Sequence, residues 1–124
     1  MSKEIAIVFG ASGFLGSHVA EALSSDGYQV RLFDRTPSDF KRSDQEMIVG
    51  DIMNLEDVTK AIQGASIVYN FAAIADIDEA NEKPLATAEV NILGNMNVLE
   101  ASRLAGVRRF IFASSVYVLS LIHI

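Results

Sequence analysis

The sequence predicts a doubly wound α/β fold, a parallel sheet with helices packed on both faces. Three observations carry that prediction. Strand-like and helix-like segments alternate along the chain, the pattern of βαβ units. Residues 5–9 and 110–113 are apolar at consecutive positions, as expected of strands buried on both faces. Between the first strand and the first helix stand Gly10, Gly13 and Gly16, with two residues between each pair.

The elements follow in order. Residues 3–9 read as the first strand. Residues 14–25 read as a helix, with Phe14, Leu15, Val19, Ala22 and Leu23 at helical spacing and Asp26-Gly27 closing it. Residues 29–33 form a second strand, and the polar stretch 36–46, with Pro37, reads as a loop. A short third strand at 47–49 ends at Gly50-Asp51. Asn54 is placed to cap a helix that runs to Ile62 and stops at Gly64. Residues 66–71 make a fourth strand, followed by an acidic loop to Pro84. A long helix over 85–104 is closed by Gly106, and residues 108–113 form the fifth strand. Right-handed crossovers place these strands in the order 3-2-1-4-5, with ligands expected where the winding reverses, at the ends of strands one and four.

The bulk numbers narrow the function. The chain has 124 residues, of which 50% are hydrophobic and 21% charged, and a net charge of −6. Such an acidic balance argues against nucleic acid or an anionic membrane surface as partner. The sequence contains no cysteine, so disulfides and thiolate metal sites are excluded. No apolar run is long enough to span a bilayer and the N-terminus leads straight into the first strand, so the expected location is cytoplasmic. His18 is expected on the exposed side of the first helix, without a metal role. The acidic residues Asp76, Asp78, Glu79 and Glu82 read as a solvated loop, since their spacing matches no calcium loop. Met47, Met53 and Met96 read as core.

The glycine loop carries the first chemical signal. A strand that breaks into glycines and then opens a helix is how a doubly wound (Rossmann-type) domain holds the pyrophosphate of a dinucleotide. Gly10 turns the chain off the strand, Gly13 lets the backbone come close to the phosphates, and Gly16 lets the helix pack on the sheet. Ser12, Phe14 and Leu15 complete that loop. Asp34 follows at the end of the second strand, 18 residues after Gly16. A carboxylate there accepts both hydroxyls of the adenine ribose and repels a 2′-phosphate, which favours NAD over NADP; the competing reading is a plain turn residue. Arg35 beside it could stack on adenine or pair with a phosphate. Asp51 is placed to accept from the adenine amino group with Ile52 packed on the ring, or else is a solvated loop aspartate. Phe71, Ala72 and Ala73 end the fourth strand, where small residues admit the cofactor or simply fit tight packing. Ser114 and Ser115 end the fifth strand, where a hydroxyl would project toward the nicotinamide or cap a turn.

Together these residues resemble the extended short-chain dehydrogenase/reductases, the group called NAD-dependent epimerase/dehydratases. The resemblance spans residues 3–118. It is most specific in Gly-Ala-Ser-Gly-Phe-Leu-Gly at 10–16, Asn-Ile-Leu-Gly at 91–94 with Asn-Val-Leu-Glu-Ala at 97–101, and Phe-Ile-Phe-Ala-Ser-Ser-Val-Tyr at 110–117. It implies NAD as cofactor, hydride transfer on a nucleotide-sugar, and Ser115 as the catalytic hydroxyl that hydrogen-bonds the substrate oxygen. Asn91 matches the helix asparagine that the family uses to support its site, and Tyr117 a site-lining tyrosine. The long helix resembles the one that pairs across family homodimers. The family's Tyr-x-x-x-Lys acid/base pair occurs nowhere in these 124 residues, so the chain by itself is expected to be inactive. The alternatives are a noncatalytic NAD(P)-binding sensor and a family reductase acting on steroids or other carbonyl compounds.

Residues 119–124, Leu-Ser-Leu-Ile-His-Ile, correspond to a translation of CTG TCT CTT ATA CAC ATC, similar to the end of a transposon-based sequencing adapter. The competing reading is an ordinary apolar tail. The expectation is therefore an incomplete cofactor domain over 1–118, truncated after the fifth strand, and an adapter-derived tail over 119–124 in which His123 has no role.

Overall fold

The computed structural model describes residues 3–74 and 76–114. Five parallel strands, β1 (Ile5–Phe9), β2 (Gln29–Asp34), β3 (Gln45–Val49), β4 (Ile67–Asn70) and β5 (Arg109–Phe112), form a single sheet in the order β3-β2-β1-β4-β5. This is the predicted topology. Register aligns the carboxyl ends of the strands: Phe9 pairs with Phe33 and Asn70, Asp34 with Val49, and Asn70 with Phe112. The loops that leave four of these strands therefore converge at one edge.

Alternation along the central strand builds two cores. Ile7 and Phe9 point to one face, where they meet Phe33, Val58, Ile62, Val68 and Val98. Ala6 and Val8 point to the other, beside Ala20, Leu23, Val30 and Leu32. The first face is covered by α2 (Leu55–Ile62) and α5 (Asn95–Leu104), the second by α1 (Phe14–Ser25). Burial on both faces explains why β1 has no polar residue.

Several local features differ from the sequence reading. The helix α1 has the predicted bounds but a different buried face: Gly16, Ala20 and Leu23 are buried, whereas Phe14, Leu15 and Ala22 are exposed. Small side chains at the first two positions let the helix lie close to the sheet, and the larger apolar residues are left outside. The strand β3 begins two residues earlier than expected, because Gln45 is buried with its amide satisfied. Its Nε2 donates to the Ala20 carbonyl at 3.2 Å and to Ser24 Oγ at 2.8 Å, and its Oε1 accepts from the Arg42 N–H at 2.9 Å. A polar residue whose partners come from the facing helix and the preceding loop can be buried at the start of a strand.

The acidic loop contains a short helix, α3 (Ile77–Glu82), nucleated by Asp76, whose carboxylate accepts from the Asp78 and Glu79 N–H groups. The long helix is divided into α4 (Pro84–Ala88), a π-helical turn (Glu89–Gly94) and α5. Met96 is exposed on it rather than in the core, and His18 is exposed on α1 as expected.

Candidate functional site

A cleft of about 210 Å³ opens at the switch point, between the loops that follow β1, β2, β3 and β4. Gly10 and Gly13 form its floor. Asp34 and Arg35 come from the end of β2, Asp51 and Ile52 from the loop after β3, and Phe71, Ala72 and Ala73 from the loop after β4. These predicted residues, distant in sequence, are brought together by the strand register.

Gly10 makes the loop possible. Its φ of +79° suits glycine, and a Cβ there would stand 2.7 Å from the backbone carbon of Phe71 and 2.8 Å from the Ala72 nitrogen. The β1 loop and the β4 loop thus touch backbone to backbone. Gly16 meets the same limit from the helix side, since its Cβ would collide with the Gly10 carbonyl oxygen. Gly13 is different. A Cβ there would meet only the Gly10 oxygen, at 3.4 Å, so packing does not require glycine at this position. Gly13 is also the N-cap of α1, with no side-chain cap, and no acidic residue lies in the first turn. The first turn of α1 thus carries neither a side-chain cap nor an acidic residue of its own at its positive end.

Asp34 ties this loop to β2. Its Oδ2 accepts from the Ser12 N–H at 2.9 Å and its Oδ1 from the Arg35 N–H at 2.7 Å. A carboxylate has about four acceptor sites, so both oxygens retain acceptor capacity toward the cleft. Ser12 acts on the loop itself, its hydroxyl donating to the Thr36 carbonyl at 2.6 Å. On the opposite wall, Asp51 Oδ1 accepts from the Met53 N–H at 2.9 Å, and the Asp51 carbonyl accepts from the Asn54 N–H. Asn91 reaches the loop after β4: its Oδ1 accepts from the Ile74 N–H at 2.8 Å and its Nδ2 donates to the Ile74 carbonyl at 3.1 Å. Beneath it Asn70, only 2% exposed, accepts from the Ala72 N–H and donates to Asn95 Oδ1 at 2.7 Å.

Other predicted site residues stand outside the cleft lining. Phe14, 81% exposed, stacks edge-on against His18 at 4.6 Å between ring centres, and Leu15 is exposed beside it. Gly16 lies beneath the loop, Ser12 and Asn91 brace it, and Ser114 is exposed just past β5. Ser115, Tyr117 and the tail 119–124 lie outside the described residues. Phe33, Gly50, Ile74 and Val90 line the cleft without having been singled out in the sequence. Gly50 carried the clearest signal, a glycine at a strand end; its Cβ would meet the Phe33 ring at 2.7 Å. Among the described residues no group of three or more His, Asp or Glu side chains could hold a metal ion. No helix among them is long and apolar enough to cross a membrane.

A cleft of this composition at the switch point of a parallel sheet defines a Rossmann-type domain. Residues 6–120 match the NAD dependent epimerase/dehydratase family, and the chain belongs to that family. It is 36% identical over 114 residues to a 3-beta-hydroxysteroid dehydrogenase of Mycolicibacterium neoaurum, which covers 88% of this chain and 31% of that protein. To a UDP-glucose 4-epimerase of Rhizobium leguminosarum bv. trifolii it is 30% identical over 124 residues, covering 93% of this chain and 36% of the relative. The solved Thermus thermophilus UDP-glucose 4-epimerase in complex with NAD is similar in structure, with a TM-score of 0.83 at 31% identity over 90% of this chain and 37% of that one. The chain spans about a third of the length of the curated relatives it matches.

Proposed function

We propose that this chain is the cofactor-binding part of an NAD-dependent enzyme that transfers a hydride to and from a nucleotide-sugar. The single observation that carries the reading is the bare N-terminus of α1, which opens onto the same cleft as the Asp34 carboxylate. The residues fit the cofactor. The N–H groups of the first turn of α1 offer donors and a positive dipole end to a pyrophosphate, and the missing side chain at Gly13, whose own N–H donates to the Gly10 carbonyl, leaves room for it. Asp34 offers acceptors to two ribose hydroxyls, Asp51 and Ile52 form the adenine wall, and Ala72 and Ala73 leave space beside the β4 loop. NAD, when bound, supplies the hydride acceptor and donor.

Ser115 would hydrogen-bond the substrate oxygen, and Ser114 would stand next to the cofactor. The acid/base pair that the family places further along is absent from this sequence, so the 124-residue chain alone is inactive in this reading. The exposed apolar residues Ile92, Met96 and Leu99 of the long helix support homodimer pairing through that face. A steroid substrate is the second reading, favoured by the higher identity to the steroid dehydrogenase, 36% against 30% for the sugar epimerase.

Titration of NAD and NADP, followed by thermal unfolding, tests the cofactor assignment. NAD at 100 times its Kd should add about 2.7 kcal/mol, and NADP should bind more weakly. Asp34→Ala should reduce that preference about tenfold by removing the charge that repels a 2′-phosphate. Stabilisation by neither nucleotide would sink the reading.

A further inference from the structure

One wall of the cleft is held from behind. Ile52 lines the cleft yet is only 6% exposed, because most of its side chain packs against the long helix. Two residues of that helix hold it, and neither lines the cleft. Asn97 Nδ2 donates to the Ile52 carbonyl at 2.9 Å, across 45 positions of sequence. Gly94 leaves the space that the Ile52 side chain fills: a Cβ there would stand 2.5 Å from Ile52 Cδ1 and 2.8 Å from Cγ1.

The helix has no freedom to retreat from such a contact. Val98, one turn further on, is fully buried, and Ala101 is 2% exposed. Interiors are close-packed, so a clash at position 94 must be relieved by the side chain with open space beside it. That side chain is Ile52, whose β-branched carbon resists rotation in place, and the open space is the cleft.

We propose that Gly94 and Asn97 are positioning residues that set the width of the cleft at its adenine end, by fixing how far Ile52 projects into it. The proposal rests on the assignment of Asp51 and Ile52 to the adenine wall. The glycine thereby acts on ligand affinity at one remove, through a side chain it seats.

The test uses the 124-residue chain and isothermal titration with NAD and with ADP-ribose, which share the adenylate end. Gly94→Ala should weaken both ligands about tenfold and by the same factor. Adding Ile52→Val, which removes the methyl group 2.5 Å from the new Cβ, should recover several-fold of that loss, a nonadditive result that general destabilisation would not produce. If Gly94→Ala fails to fold, Asn97→Ala decides: it adds no bulk and should weaken both ligands about threefold. Wild-type affinity in Gly94→Ala, a loss unrelieved by Ile52→Val, or in Asn97→Ala a lowered unfolding temperature with unchanged affinity would each overturn the proposal. Failure of the unsubstituted chain to bind either ligand would instead remove the cofactor reading, and this inference with it.

Discussion

Two helix N-termini in this molecule are built in opposite ways. The helix α2 is closed by its own sequence: Asn54 Oδ1 accepts from the Glu56 and Asp57 N–H groups at 3.0 and 3.2 Å, and both of those residues are acidic. Cap and charges neutralise its positive end. The helix α1 starts at Gly13, which offers no cap, and its first turn holds no acid. Room for a side chain exists there, since a Cβ at Gly13 would make only an ordinary contact. One helix end is therefore satisfied by its own sequence, and the other has neither a side-chain cap nor a first-turn acid. In the proposed reading, that difference separates a helix that only covers the sheet from one that also serves the cofactor.

The contrast can be broken in three ways. The largest effect is expected from Gly10→Ala, which removes the platform on which the α1 end sits. The new Cβ would press on the Phe71 and Ala72 backbone at a φ of +79°, and neither strain can be relieved by a side-chain rotation. Denaturant unfolding should show a loss of roughly 2–4 kcal/mol. Gly13→Asp comes next and makes α1 resemble α2. A cap and a negative charge at the helix start should raise stability by about 0.5 kcal/mol, while NAD affinity falls on the order of 100-fold. Stability and affinity moving together would mean that the bare end has no ligand role. The smallest effect belongs to Asn54→Ala, which makes α2 resemble α1. It should cost about 1 kcal/mol of stability and leave NAD affinity within about twofold of the original.

Much of the fold was legible because its signals are local. The bounds of α1 and α2, the Asn54 cap and the strand order all follow from periodicity, glycine stops and crossover handedness. Sequence reasoning missed what depends on distant partners. Gln45 is buried at the start of β3 because Ala20 and Ser24 are there to receive its amide. The buried face of α1 depends on Gly16 and Ala20 allowing close approach, a choice invisible when apolar residues are simply counted. The helix α3 stands where the acidic residues read as a solvated loop, because the Asp76 carboxylate acts as its cap.

The candidate site divides in the same way. Gly10, Gly13, Asp34 and Asp51 were marked as candidates by their positions after strands, before register brought them to one cleft. The particular partners of Ser12 and Asn91, and the space that Gly94 leaves, were not. Ser12 and Asn91 spend their polar groups on loop backbones, and Gly94 matters for the Ile52 side chain that it admits.

The order of residues along the chain was enough to specify a parallel doubly wound sheet, a glycine loop between strand and helix, and an acidic residue at the end of β2. These rest on short-range rules: side-chain periodicity, glycine conformational freedom, and the handedness of crossovers. Which groups stand free in the cleft, and which are committed to holding it, depended on packing between segments tens of residues apart. A donor's partner or the space beside a Cα is a property of two surfaces in contact, and the second surface comes into being only when the chain has folded.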